Sequence, residues 1–350
     1  MVATTCLRTE RVGDRVRMLA RVAAGLMVGA TALASCGGSP KAAQPTAPIS
    51  VPNSVPASVP ATTTQPAAAS ANAQRTPPLV PTTGAYLGAW LHPVPSGSGG
   101  SSFAVEQRTV PAVRAAAGRP LGILHLYVSW HAPAPVANLQ AIADEGSIPM
   151  LDWGCAPDGS AVASGSDDGS ISAFASALAA YRGPVLLRWC WEMNLVRSHL
   201  EVGGPTGFTS AWGHIRTMFA AAGATNVSFV WCPALTGVDP APYFPGAGAV
   251  DWIGIDGYDR DGTHTFASLF TSFSKQWAGQ GKPLIVAETG ASGAAQGAFI
   301  DSIGTDMPTL PAYKGVVYFD ASGPSISWAF TPDGLRSFAA LARNPYFAPI

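Results

Sequence analysis

Eight short apolar runs recur through the C-terminal three quarters of this chain, and stretches of helical periodicity separate them. The runs fall at 86–90, 123–128, 148–152, 185–189, 227–231, 252–256, 284–287 and 316–319. They are nearly continuous in apolar residues, as expected of strands buried on both faces. Helical patterning fills 103–117, 136–145, 171–181, 207–222, 266–278, 295–303 and 332–342. Between the fifth and sixth runs, 240–245 is too rich in proline for a full helix. Strands alternating with helices eight times over about 265 residues predict an α/β chain closed into a (β/α)8 TIM barrel. No shift in composition interrupts 83–350, so one catalytic barrel domain is expected there.

A barrel of this kind carries its chemistry at the C-terminal ends of its strands. Glu192 follows the fourth run, and Glu288 ends the seventh. Other glutamates of the mature chain are few: Glu106, Glu145 and Glu201. A carboxylate at the end of a buried strand is unfavourable unless it has partners or a task. Two of them on two strands point to acid/base and nucleophilic chemistry on a sugar. A structural salt bridge at the barrel mouth is the alternative. Arg188 lies four residues before Glu192, where it either tunes a carboxylate or pairs within the barrel.

Trp90, Trp130, Trp153, Trp191, Trp231 and Trp328 also fall at or beyond strand ends. Each could pack as readily as bind, but together they favour a glycan cleft, because sugar rings present apolar faces to aromatic platforms. His92 and His131 are candidate sugar contacts. His125, inside a strand, reads as a core residue. Asp152 and Asp256 end the third and sixth runs, and Asp256 either caps a loop or touches substrate.

Charged residues make up 12% of the chain and the net charge is -1, with no basic stripe, which argues against a nucleic-acid partner. There is no P-loop, dinucleotide fingerprint or histidine-rich metal motif, so neither cofactor nor metal is expected. A monomer is the default for this architecture. Cys155, Cys190 and Cys232 remain in the folded part. Three is odd, so at most one pair forms. Nothing in the sequence selects it, and buried thiols acting as small hydrophobes are the simpler reading.

Residues 1–35 read as a targeting segment. Arg8, Arg11, Arg15, Arg17 and Arg21 precede an apolar stretch, 22–34, that falls short of the roughly 20 residues needed to span a bilayer. The following Leu33-Ala34-Ser35-Cys36-Gly37 resembles the lipobox of bacterial lipoproteins, which implies a lipid anchor on Cys36 and a place on the outer face of the cell membrane. Ordinary secretory cleavage is the alternative, and either one means export. Residues 36–82, rich in Pro, Ala, Ser and Thr and without an aromatic, read as a disordered tether. Extended, such a tether would reach up to about 140 Å.

Several segments of the barrel, in order, resemble glycoside hydrolase family 26. Arg188-Trp-Cys-Trp-Glu-Met-Asn194 is similar to the family's Arg-x-x-His-Glu-Met-Asn motif. Ala211-Trp-Gly-His-Ile215 and Asn226-Val-Ser-Phe-Val-Trp231 resemble the stretch that follows it. Tyr243-Phe-Pro-Gly246, Val250-Asp-Trp-Ile-Gly-Ile-Asp-Gly-Tyr258 and Pro283-Leu-Ile-Val-Ala-Glu-Thr-Gly290 match further segments, and Trp328 matches a family tryptophan. The resemblance implies a retaining hydrolase with Glu192 as acid/base, Glu288 as nucleophile and Tyr258 orienting Glu288. Retention needs the two carboxyl groups about 5–5.5 Å apart. The candidate substrate-binding set is Trp191, Arg188, Asn194, Trp90, Trp153, Trp231, Trp328, His92 and His131, with a turn cap as the other reading of Asn194.

One departure is plain: the family's histidine before the acid/base is here Trp191, which can stack on a sugar but cannot replace an imidazole. The family's commonest substrate implies an endo-β-1,4-mannanase. Another β-glycan (β-1,3-xylan, mixed-linkage glucan or a cell-envelope glycan) is the first alternative, and a non-catalytic glycan-binding lipoprotein is the second.

Overall fold

The computed structural model describes residues 80–91, 110–196, 202–321 and 326–347. The targeting segment, Cys36, nearly all of the tether and His92 lie outside them. Eight strands form the wall: β1 (Tyr86–Leu91), β2 (Ile123–Val128), β3 (Ile148–Trp153), β4 (Val185–Trp189), β5 (Val227–Trp231), β6 (Trp252–Asp259), β7 (Leu284–Ala291) and β8 (Tyr313–Asp320). Each pairs in parallel with its neighbour, and β8 returns to β1 from Tyr86↔Gly315 to Leu91↔Asp320, closing the (β/α)8 barrel.

Around this wall run α1 (Val110–Ala117), α2 (Val136–Asp144), α3 (Gly159–Ala163), α4 (Asp168–Tyr181), α5 (Gly204–Ala221), α6 (Phe266–Trp277), α7 (Gln296–Asp306) and α8 (Pro332–Arg343). Local chemistry sets their starts. A reciprocal Thr265–Ser268 capping box opens α6, and Thr331 caps α8 ahead of a proline in its first turn. The short α3 carries no helical periodicity. It forms because Asp158 accepts from the backbone of Ser160 and Ala161. After β5 the chain makes only two short 3-10 turns, Ala241–Tyr243 and Ala247–Ala249, in line with its prolines.

Strand parity sorts the core into two bodies. Inward positions at the lower end of the barrel are apolar, with Ile123, Ile148, Met150, Leu186, Val230, Trp252, Ile285 and Val317 filling it, and Val80 packs against this cluster. Val80 lies three residues ahead of the expected boundary at 83. Outward positions meet the helices. Trp153 stacks on Phe174 of α4 at 4.2 Å, and Trp231 packs against Trp277 of α6 at 4.7 Å and Phe244 at 5.0 Å. Both tryptophans are 0% exposed. The expectation that they bind substrate is therefore corrected: they end strands, but on the face turned away from the barrel axis.

Towards the C-terminal mouth, the inward positions become polar: His125 and Tyr127, Asp152, Arg188, Cys232, Asp256. Glu288 joins them only through an irregularity. Ile285 and Ala287 face inward, so strict alternation would turn Glu288 outward. Ile255 pairs with Val286, but the next residue, Asp256, pairs with Glu288, so Ala287 is an extra residue in β7. This bulge re-aims Glu288 into the barrel.

Candidate active site

The buried floor of the mouth is organised by one guanidinium. Arg188 is 0% exposed. Its Nε donates to Asp152 Oδ1 at 2.7 Å, and Nη1 donates to Asp256 Oδ1 at 2.7 Å. Nη2 donates to both Asp152 Oδ2 and Glu288 Oε1. Burial alone would lower the pKa of Arg188, but the carboxylates of Asp152 and Asp256 raise it above the usual arginine range, so it stays charged. Burial pushes the Asp256 carboxyl well up, and the Arg188 charge pulls against that rise. Cys232 Sγ also donates to Asp256 Oδ1, at 3.2 Å. His125 Nε2 lies 2.8 Å from Asp152 Oδ2.

Arg188 is accordingly not a sugar contact, since it is sealed beneath the carboxylates. Asn194 is corrected too. It is buried, its amide donates to Ala234 O (2.9 Å) and Val238 O (2.8 Å), and its oxygen accepts from Ala234 N (2.7 Å). It joins the turn after β4 to the loop after β5.

Glu288 is held by three donors. Tyr258 Oη donates to Oε2 at 2.6 Å; Tyr127 Oη at 2.7 Å and Arg188 share Oε1. Burial and the Glu288 charge raise both phenol pKa values, so both remain donors. Tyr127 was not singled out from the sequence. Its signal is its place two residues after His125, the same inward face of β2.

Glu192 sits on a tight turn after β4, with φ of 55°. Its pKa is raised from 4.5 to about 7, first by burial and then by the charge of nearby Glu288. The carboxyl therefore keeps its proton close to neutrality, while the nucleophile candidate is dressed by donors.

Aromatic rings form the rim. Trp191 is partly exposed, 5.1 Å from the Tyr127 ring and 5.9 Å from the Arg188 guanidinium. Trp90 packs on Phe319 (4.3 Å) and Tyr127 (5.3 Å). Trp328 lies 4.5 Å from Tyr258, against Gly290, where an added Cβ would come within 2.8 Å of the indole. His131 is exposed beside Trp130, with 6.3 Å between ring centroids. Trp130 itself is buried against Trp153.

The cysteines do not all act as small hydrophobes. Cys155 and Cys190 form a disulfide, and Cys232 stays free and buried. With a sequence separation of 35 between its ends, the bridge contributes about 4 kcal/mol in the chain-entropy picture.

Among the described residues, two groups of side chains have the spacing of metal ligands: His125, Asp152 and Glu288, and Asp259, Asp261 and His264. In the first, Arg188 already bridges the carboxylates as the resident cation. In the second, Asp259 Oδ1 accepts backbone N–H groups of Gly262, Thr263 and His264, and Asp261 accepts from Thr263. That is the bonding of a structured loop.

No family model matches the chain. Among solved structures, it is similar to the Bacillus subtilis mannanase BCman (16% identity, TM-score 0.55, 75% of this chain and 86% of that one). It is also similar to the GH26 β-mannanase BoMan26A of Bacteroides ovatus (15%, TM-score 0.54, 76% and 90%). A third is the GH26 endo-β-1,4-mannanase domain of Bacillus sp. JAMB-750 (17%, TM-score 0.56, 75% and 86%). These structures share its fold. At such identities the likeness is one of fold alone. A curated relative, Endoglucanase H of Acetivibrio thermocellus, is 29% identical over 228 residues, 59% of this chain. The match spans 24% of that protein's length.

Proposed function

We propose that this protein is a retaining glycoside hydrolase of the family 26 type that cleaves a β-linked polysaccharide, with β-1,4-mannan as the lead substrate. The observation that carries it is the unequal carboxyl pair at the barrel mouth. Glu288 is fixed by Tyr127, Tyr258 and Arg188, and Glu192 holds its proton to about pH 7. The fold shared with mannanases and the ordered sequence motifs support the same reading.

In this mechanism Glu288 attacks the anomeric carbon while Glu192 protonates the departing glycosidic oxygen. Oε1 accepts from two donors and Oε2 from one. A carboxylate oxygen offers about two lone-pair sites, so Oε2 keeps the free one and forms the bond. Oε1 becomes the ester carbonyl and retains Arg188 and Tyr127. Glu192, now deprotonated, then takes a proton from the water that hydrolyses the ester, and the configuration is retained. Mixed-linkage glucan stays on the substrate panel because of Trp191 and the endoglucanase relative.

The same proposal places the protein outside the cytoplasm, anchored through Cys36 by the tether. The Cys155–Cys190 bridge supports this, since such bonds persist in oxidising compartments. The test is release of reducing ends from β-1,4-mannan, galactomannan, β-1,3-xylan, mixed-linkage glucan and cell-wall polysaccharide, with Glu288→Ala alongside. Activity on one polymer that the variant lacks supports the reading. Binding without hydrolysis by both proteins would replace it with a glycan-binding lipoprotein.

A further inference from the structure

We propose that the Cys155–Cys190 disulfide is the positioning element for Glu192, setting the proton-transfer geometry of the hydrolase reading on which this proposal rests. Glu288 and Glu192 are held by different means. Three side-chain donors grip Glu288, whereas among the described residues no hydrogen bond fixes the Glu192 carboxyl. Its aim therefore comes from the backbone that carries it.

That backbone is unusual. Cys190 and Glu192 have φ of 48° and 55°, in the left-handed region that residues with a Cβ seldom adopt. Such a turn persists only where its surroundings over-determine it. On one side, Cys190 N donates to Trp153 O at 2.9 Å, and the disulfide joins Cys190 to Cys155, two residues past the end of β3. On the other side, Glu192 N donates to Cys232 O at 2.8 Å, and Asn194 reaches Ala234 and Val238. The disulfide is the covalent member of this clamp, two residues from the carboxyl it aims. Cys155 is partly exposed, which opens the bond to a soluble reductant, while Cys190 is buried.

The test compares the full-length oxidised protein, the same protein reduced by a water-soluble phosphine, and Cys155→Ser. Two aryl β-mannosides serve as substrates. The phenyl leaving group needs a proton from Glu192, and the dinitrophenyl group does not. Loss of aim is expected to lower kcat/KM on the phenyl substrate about 100-fold, with the dinitrophenyl burst kept within about threefold. Azide, a nucleophile that needs no general base, is expected to restore turnover of the dinitrophenyl substrate. Esterification of Glu288 by an activated fluorosugar counts the folded sites, so misfolding of Cys155→Ser is seen directly. The reduced wild type then carries the comparison. Equal losses on both substrates, or no loss on either, overturn the proposal. Inactivity of the oxidised protein on every polymer and aryl glycoside removes the hydrolase reading, and this inference with it.

Discussion

Replacing Arg188 by methionine keeps an unbranched apolar stem and removes the guanidinium with its charge and donors. Three carboxyl groups then share a closed floor with no cation, because Asp152, Asp256 and Glu288 all lean on this guanidinium. Each attraction is roughly 4 kcal/mol at 4 Å with an effective permittivity near 20. Their sum is not lost, because stranded carboxyls take up protons instead. Breaking a buried ion pair from one side typically removes about 3–5 kcal/mol, or about 6–20 °C in Tm for a domain of this size. The loss has a definite pH dependence. Vacated buried carboxyls have folded-state pKa values above their unfolded ones. Arg188→Met is therefore least destabilised below the ordinary carboxyl range and loses stability as pH rises through the folded values. Urea unfolding of wild type and variant at about pH 5 and about pH 7.5 should show the gap widening towards neutral pH. A gap below about 1 kcal/mol, or one equal at both pH values, would refute the account, since a solvated surface pair would behave that way.

In the proposed mechanism protonated Glu192 is the acid, so kcat/KM should fall as pH rises through about 7, and Glu192→Gln should abolish that limb; a pH-rate profile reads both. Because the folded pKa of Glu192 lies above its ordinary value, the same group erodes stability over the rise from 4.5 to about 7, measurable as a decline in Tm that Glu192→Gln suppresses. Tyr127→Phe removes one of the three donors on Glu288 and should lower kcat/KM about 10- to 100-fold, as expected for a hydrogen bond to a charged group, with Tm nearly unchanged. Unchanged kinetics would remove Tyr127 from the machinery. Asn194→Ala strands the backbone groups of Ala234 and Val238 and should cost about 2–4 kcal/mol in chemical denaturation.

The barrel was legible because strands buried on both faces leave continuous apolar runs. β2, β4 and β5 match the expected runs residue for residue, whereas β6 and β7 continue to Asp259 and Ala291. The added residues include Tyr258 and Glu288, and inward polar residues at a mouth do not look like strand. The two glutamates were visible as carboxylates out of place in apolar surroundings. The inward aim of Glu288 was not, since it depends on the extra residue at Ala287, which pairing reveals and periodicity hides. Trp153 and Trp231 misled for the opposite reason, because a position at a strand end says nothing about which face is used. Tyr127 carries no charge and sits within an apolar run, so its spacing from His125 gives its face, and only its bond to Glu288 gives its role. The pairing of Cys155 with Cys190 depends on adjacency of β3 and β4, a property of the closed sheet.

The turn that carries Glu192 is bolted to both neighbouring strands' loops, after β3 by sulfur and after β5 by an amide. Insertions or deletions beyond β3 or β5 would be transmitted to the reacting centre.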